Sequence, residues 1–259
     1  MSFTTIEVST SAHLTQVTIN RPQARNSLTL ETTHELTQAF TQLTDSKDAR
    51  CVLLTGAGSE AFCAGADLKG LLDNPTPDAR RAFFESIATL IETIEHCPVP
   101  VVAAVHGFAL AGGCGLVAAC DIAIASEDAI FGLPEVGIGL APMVVMAPLS
   151  RTIPRKALSL MALTGERLSA VQALAAGLVT MVVPKSELAA RVHTICRTIQ
   201  AQGPDAVRAT KATLRDLAKH SGQPLIDELA DRSALLSLGA EAAEGIAAFQ
   251  EKRAPSWRS

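Results

Sequence analysis

The sequence predicts an α/β domain, and three observations carry that prediction. The first half alternates short β-rich runs with helical patterns, several of those runs are apolar throughout, and the second half passes into helices punctuated by Gly and Pro. With 259 residues, 48% hydrophobic and 19% charged, the chain can bury a substantial core and is no disordered polymer. A domain of this class places its ligand site where loops leave the strand ends.

The elements follow in order. "IEVSTSAHLTQVTIN" (6–20) alternates and turns as a hairpin does. Residues 29–46 carry Leu30, Leu36, Phe40 and Leu43 at helical spacings. "CVLLTG" (51–56) is a buried-strand run, and 56–70 reads as a loop passing into something short. Residues 77–97 form a strongly amphipathic helix closed by Pro98, followed by strands in "VPVVAAV" (99–105) and "DIAIAS" (121–126). Beyond about residue 150 the strand signal shrinks to "LVTMVV" (178–183). Ser169 and Gln172 make a capping box, with Gly177 as the stop for that helix. From Lys185 onward the pattern is helical. This divides the chain into a core, 1–200, and a helical region, 201–259, that packs back on the core or makes an oligomer contact.

Composition removes several function classes. A net charge of −4, 3% aromatic residues and no Tyr argue against a nucleic-acid binder. Residues 97–120 lack Asp, Glu, Lys and Arg over a length that could cross a bilayer, but Pro98, Pro100, His106 and the glycines break them into short pieces. The N-terminal "MSFTTIEVST" has the features of neither a signal nor a transit peptide. Cys51, Cys63, Cys97, Cys114, Cys120 and Cys196 form no CxxC pair and read as reduced core thiols. The expectation is a cytosolic protein.

The stretch "VVAAVHGFALAGGCGLVAACD" (101–121) spends four glycines, Gly107, Gly112, Gly113 and Gly115, inside an apolar run. Gly113–Ala118 matches GxGxxA, with Glu135 twenty residues past Gly115, as in a dinucleotide-binding fingerprint. The context disagrees: "HGFALAG" separates strand from glycines, and Glu135 follows a proline in "FGLP". The better reading is close backbone approach. The loops "AFCAGADL" (61–68) and "GFALAGGC" (107–114) each leave a strand with small residues at the tip. Two N–H groups converging from such loops stabilise an oxyanion on a carbonyl, and losing one such donor typically costs about 3–4 kcal/mol.

Along essentially its full length the chain resembles the crotonase family, the enoyl-CoA hydratase/isomerase superfamily. The resemblance is carried by "RPQARNSLTL" (21–30), "FCAGADLK" (62–69), "AAVHGFALAGGCGLVAACDIAIAS" (103–126), "FGLPEVGIGLAP" (131–142), "LTGERLSAVQALAAGLVTMVVP" (163–184) and "GIAAFQEKRAPSW" (245–257). It implies an α/β spiral of ββα repeats with a C-terminal helical region that trimerises, often as a dimer of trimers. It implies an acyl-CoA thioester substrate, with no metal and no cofactor beyond the CoA of the substrate. The positions matching the family's oxyanion hole are Ala66 and Gly112. Ala24, Arg25 and Leu28, with Ala64 and the segment Ala66, Asp67, Leu68 and Lys69, match the parts that wrap CoA. Phe249 and Lys252 match C-terminal residues that reach the CoA, in some members from a neighbouring subunit. Arg25 and Lys69 are also physically suited to phosphates, or are plain solvated charges.

The chain departs from the best-known hydratases, which position one water between two glutamates. Glu135 matches the second; the first position is Gly115. Glu135 alone can act as acid and base, moving one proton between carbons two bonds apart. The readings, in order, are enoyl-CoA hydratase as the family's commonest activity, then 3-enoyl-CoA to 2-enoyl-CoA isomerase, which fits a single glutamate better, then a catalytically degenerate acyl-CoA-binding protein. Met143, Val144, Val145 and Met146 stand where many hydratases are glycine-rich, and read as helix packing, or as an apolar acyl wall if they face the pocket. Asp67 is expected to fix its loop, His106 to be a satisfied structural histidine, and Asp121 has no evident acid partner.

Overall fold

The computed structural model describes residues 3–43, 48–73, 76–219, 223–237 and 239–258. The hairpin pairs β1 (Ile6–Ser11) with β2 (Leu14–Ile19), closed by Ala12 and His13 with φ of 46° and 66°. Positive φ at both turn residues matches the strand twist, at some cost for residues with a Cβ. From β2 the sheet runs parallel through β3 (Cys51–Gly56), β5 (Val101–Val105), β7 (Ile122–Ser126) and β10 (Met181–Val183). β5 is buried at all five residues, as its unbroken apolar run requires of a strand covered on both faces.

A second sheet was not foreseen. It orders β4 (Ala61–Cys63), β6 (Phe108–Leu110), β8 (Ile130–Gly132) and β9 (Arg167–Ser169), the last antiparallel to β8. The stretches read as loops at 56–70 and 107–114 therefore each contain a strand. The two sheets interleave: β3, β5 and β7 each hand the chain to β4, β6 and β8. These pairs are followed by α3 (Pro77–His96), α4 (Gly112–Ala119) and α5 (Met143–Thr152) respectively, which is the ββα repetition the resemblance implies.

The helices obey local chemistry. α1 (Leu30–Gln42) starts where Thr29 Oγ1 accepts the Thr32 N–H at 3.1 Å, and α3 starts the same way at Thr76, with Pro77 in its first turn. The expected end of α1 at 44–46 lies outside the described residues. The reciprocal capping box of Ser169 and Gln172 is present at α7 (Ala170–Ala175). α2 (Leu68–Asp73) and α6 (Arg155–Thr164) complete the core, and α8 (Leu188–Gln200) covers the outer face of the first sheet through Leu188, Val192 and Cys196.

The chain then runs through α9 (Pro204–Lys219), α10 (Gln223–Ser237) and α11 (Ala240–Glu251). Lys211, 6% exposed, reaches from α9 to donate to the Val99 carbonyl at 3.0 Å and to Asp121 at 2.7 Å. Asp121 also accepts the Val101 N–H, so this carboxylate is a structural anchor. Arg50 donates to the Gln200 and Trp257 carbonyls, tying the C-terminus to the start of β3. All six cysteines are free; five are buried and Cys120 is half-buried. Burial pushes the Cys63 and Cys114 thiols up to about 12, where they are inert. Among the described residues no helix is long and apolar enough to cross a membrane.

Candidate active site

Two loops meet beside the second sheet. Residues 64–67 are strapped to the segment after β2: Leu28 N–H donates to Gly65 O at 2.7 Å, and Asp67 N–H donates to Leu28 O at 2.9 Å. Ala64 N–H donates to Arg25 O at 3.0 Å. In this short parallel bridge between Leu28 and Ala66, Leu28 bonds the groups on either side of Ala66. The Ala66 N–H is thereby left on the opposite edge, and among the described residues it has no acceptor. Asp67 fixes the loop as expected, pairing with Arg21 at 2.9 Å and accepting the Gly70 N–H. Burial raises its carboxyl, but the bond from Arg21, the Gly70 N–H and the Arg21 charge outweigh this and hold it below its ordinary value.

The second loop enters at Ala111, with φ 50° and ψ −117°, a conformation L residues rarely adopt. It is held by its N–H on Gly132 O at 2.9 Å and by its carbonyl, which accepts the Gly115 N–H. Gly112 follows as the first residue of α4, so its N–H is one that the helix leaves unpaired, and no other acceptor takes it among the described residues. Gly65 lets the loops touch. Its φ is +97°, and a Cβ there would stand 2.6 Å from Ala111 Cβ and 3.4 Å from Gly112 N. At Gly113 a Cβ would stand 2.2 Å from the Cys63 carbonyl oxygen, so α4 is laid directly on β4.

Ala66 and Gly112, the residues that carry the two free N–H groups, line a cavity of about 450 Å³. Ala64 and Leu68 also line it, as does Glu135, the single ionisable residue of the lining among the described residues. Glu135 sits in a 3₁₀ turn, Pro134–Ile138, with Oε2 buried and unpartnered among the described residues. Burial lifts its carboxyl above the usual range, and its own backbone N–H offsets this only in part. The remaining walls are apolar: Leu71 of α2, Phe84 and Ile87 of α3, and Met143, Val144 and Val145 of α5. Met146 instead packs on the core, so the run "MVVM" serves both purposes considered for it. At Gly115 there is no open space. A Cβ there would meet Val145 Cγ1 at 2.7 Å and Ile91 Cδ1 at 3.2 Å.

Other expected residues stand outside the lining. Leu28 is fully buried beneath the loops, with Cδ1 3.0 Å from where a Gly112 Cβ would be. Ala24 ends a 3₁₀ turn; Arg25 follows it with φ 52° and pairs with Glu60 at 3.0 Å, both side chains well exposed. Lys69 is exposed on α2. Phe249 is 86% exposed and Lys252 caps α11 in the left-handed conformation; neither lines this cavity. His106, expected to be satisfied, is so only in part: it hydrogen-bonds the Gly58 backbone, but its Nε2 is buried without a partner among the described residues. Burial, with the Lys185 charge, lowers its pKa against the Asp128 charge and that hydrogen bond. The contributions of Phe84 and Ile87 were missed, although their i, i+3 spacing on an amphipathic helix marked them as a buried pair.

Comparison with known proteins decides the family. The model described as enoyl-CoA hydratase/isomerase matches residues 9–259. The chain belongs to the crotonase family. It is 37% identical over 271 residues to (E)-benzylidenesuccinyl-CoA hydratase of Thauera aromatica, covering 98% of each chain. It is 35% identical to the human mitochondrial enoyl-CoA hydratase domain-containing protein 3, over 93% of this chain and 79% of that one. An enoyl-CoA hydratase of Bacillus anthracis, solved at 1.8 Å, superposes with a TM-score of 0.93 at 35% identity, covering 98% of this chain and 99% of that one. The crotonase fold is thus established, and an acyl-CoA thioester is the substrate class the family implies.

Proposed function

We propose that this crotonase isomerises a 3-enoyl-CoA to its conjugated 2-enoyl-CoA, with Glu135 as the one acid/base. The N–H groups of Ala66 and Gly112 receive the thioester oxygen. The Glu135 carboxylate takes a proton from C2; the C–H pair becomes the C1–C2 π bond, and the carbonyl π pair passes to the oxygen, which lies between the two donors as the enolate forms. The same carboxyl returns the proton to C4, where the C3–C4 π pair forms the new C–H bond; the C1–C2 π pair moves to C2–C3 and an oxygen lone pair re-forms the carbonyl. Atoms and charge balance without a metal or redox group. The carrying observation is that, among the described residues, Glu135 is the lone ionisable residue of an apolar cavity, with its Oε2 unengaged. An acyl chain without charge suits those walls.

Hydration of a 2-enoyl-CoA is the second reading, favoured by the hydratase names of the relatives. It would require Glu135 to hold and orient the water by itself. In either reading Ala24, Arg25, Ala64, Asp67, Leu68 and Lys69 form the CoA-facing rim, with Leu28 buried beneath it as its support. Phe249 and Lys252 would serve a neighbouring subunit's CoA in a trimer or dimer of trimers, and exposed Leu214, Leu235, Ile246 and Phe249 on the C-terminal helices support such an assembly.

The purified protein is incubated with a 3-enoyl-CoA and, separately, a 2-enoyl-CoA in ¹⁸O-labelled water. Unlabelled conjugated product from the first, with little labelled 3-hydroxyacyl-CoA from the second, is expected. Labelled hydroxyacyl product alone would replace isomerisation by hydration. Binding of both thioesters without turnover would leave an acyl-CoA-binding protein.

A further inference from the structure

Resting on Glu135 as the acid/base, we propose that Val145 determines which reaction the site performs, by plugging the space over Gly115 so that neither a second acid nor a water can stand opposite Glu135. The loss of a carboxylate at position 115 would by itself leave a hole that water could enter. Here the hole is filled. Val145 is 4% exposed, lines the cavity, and would have its Cγ1 2.7 Å and its Cβ 3.1 Å from a Cβ on Gly115, with Ile91 Cδ1 at 3.2 Å on the other flank. A β-branched residue on a helix holds essentially one rotamer, so the plug cannot swing aside. A water needs two to four polar partners to reside in a cavity, whereas the atoms nearest this point belong to Val145 and Ile91, and the adjoining cavity wall includes Ile87 and Val144. Water cannot be held on that face of the enolate, and the proton carried by Glu135 has C4 as its remaining destination.

Hydration adds the elements of one water. Its oxygen bonds to C3, the C2–C3 π pair passes into the enolate, and C2 takes a proton. Access to C3 from the Gly115 side is what Val145 denies.

Two variants test this, Val145→Ser and the pair Gly115→Glu with Val145→Gly, each compared with the parent for the ratio of ¹⁸O-labelled 3-hydroxyacyl-CoA formed from 2-enoyl-CoA to isomer formed from 3-enoyl-CoA. Acyl-CoA affinity and circular dichroism confirm that each variant is folded. The ratio is expected to rise at least about tenfold in Val145→Ser and by roughly 10² in the double variant, which restores a second general acid/base. Gly115→Glu alone is expected to be overpacked and to gain nothing. An unchanged ratio in both folded variants, or a parent enzyme that already hydrates as fast as it isomerises, would overturn the role of Val145. A parent that neither isomerises nor hydrates would instead contradict the single-base reading; the plug would then be judged by whether labelled product appears in the variants.

Discussion

Glu135 is held in a state that costs the fold something. Burial raises its pKa in the native protein above the ordinary 4.5, so the charged form is the disfavoured one. Below the unfolded-state pKa both states are protonated and nothing is lost. As pH rises, the unfolded chain ionises first, and stability declines until the native pKa is passed. Glu135→Gln removes this term. Its melting temperature should match the parent's below about pH 4 and exceed it increasingly toward neutrality, then level off. A difference that stays flat across this window would show that the carboxyl is not desolvated. The glutamate itself was legible from "FGLPE", because a carboxylate after a proline turn stands out in a chain so poor in charged constellations. The filling of position 115 was not, because a missing side chain in sequence does not reveal which neighbour, Val145, has moved into its volume.

At the scale of elements, the first sheet was readable and the second was not, for a physical reason. β3 opens with four consecutive apolar residues and β5 has five, long enough to declare a buried strand. β4, β6, β8 and β9 are three residues each, too short to show a period, and Ala, Phe, Cys and Gly in them serve loops equally well. Those short strands are what seat the two loops carrying the free N–H groups. Gly113 is the contact point between β4 and α4, where a methyl group would meet the Cys63 carbonyl oxygen at 2.2 Å. Gly113→Ala should therefore push the start of α4 away and displace the Gly112 N–H. We expect a loss of about 1–3 kcal/mol in stability by denaturant titration. The accompanying fall in kcat/KM should reach about 10²-fold or more as one oxyanion donor is misplaced. Wild-type kinetics in a folded Gly113→Ala protein would mean that the Gly112 N–H takes no part.

Over the whole molecule, each ββα turn repeats one strand in each sheet, and the loops leaving the second sheet converge with α3 and α5 on a single apolar cavity. The ordered motifs made the family legible, since they span the chain at consistent intervals. The anchoring of the C-terminal helices was not legible, because Lys211 meets Asp121 across 90 residues and no local pattern announces such a pair. What unites the molecule functionally is the claim that one carboxyl, presented to an enolate held by two backbone donors, performs all of the proton transfer. The direct measurement is the single-turnover rate of 3-enoyl-CoA conversion by the parent and by Glu135→Gln, followed by absorbance of the conjugated thioester, with acyl-CoA affinity measured alongside. The account predicts a rate lower by at least about 10² in the variant with affinity retained. Equal rates in the two proteins would contradict it.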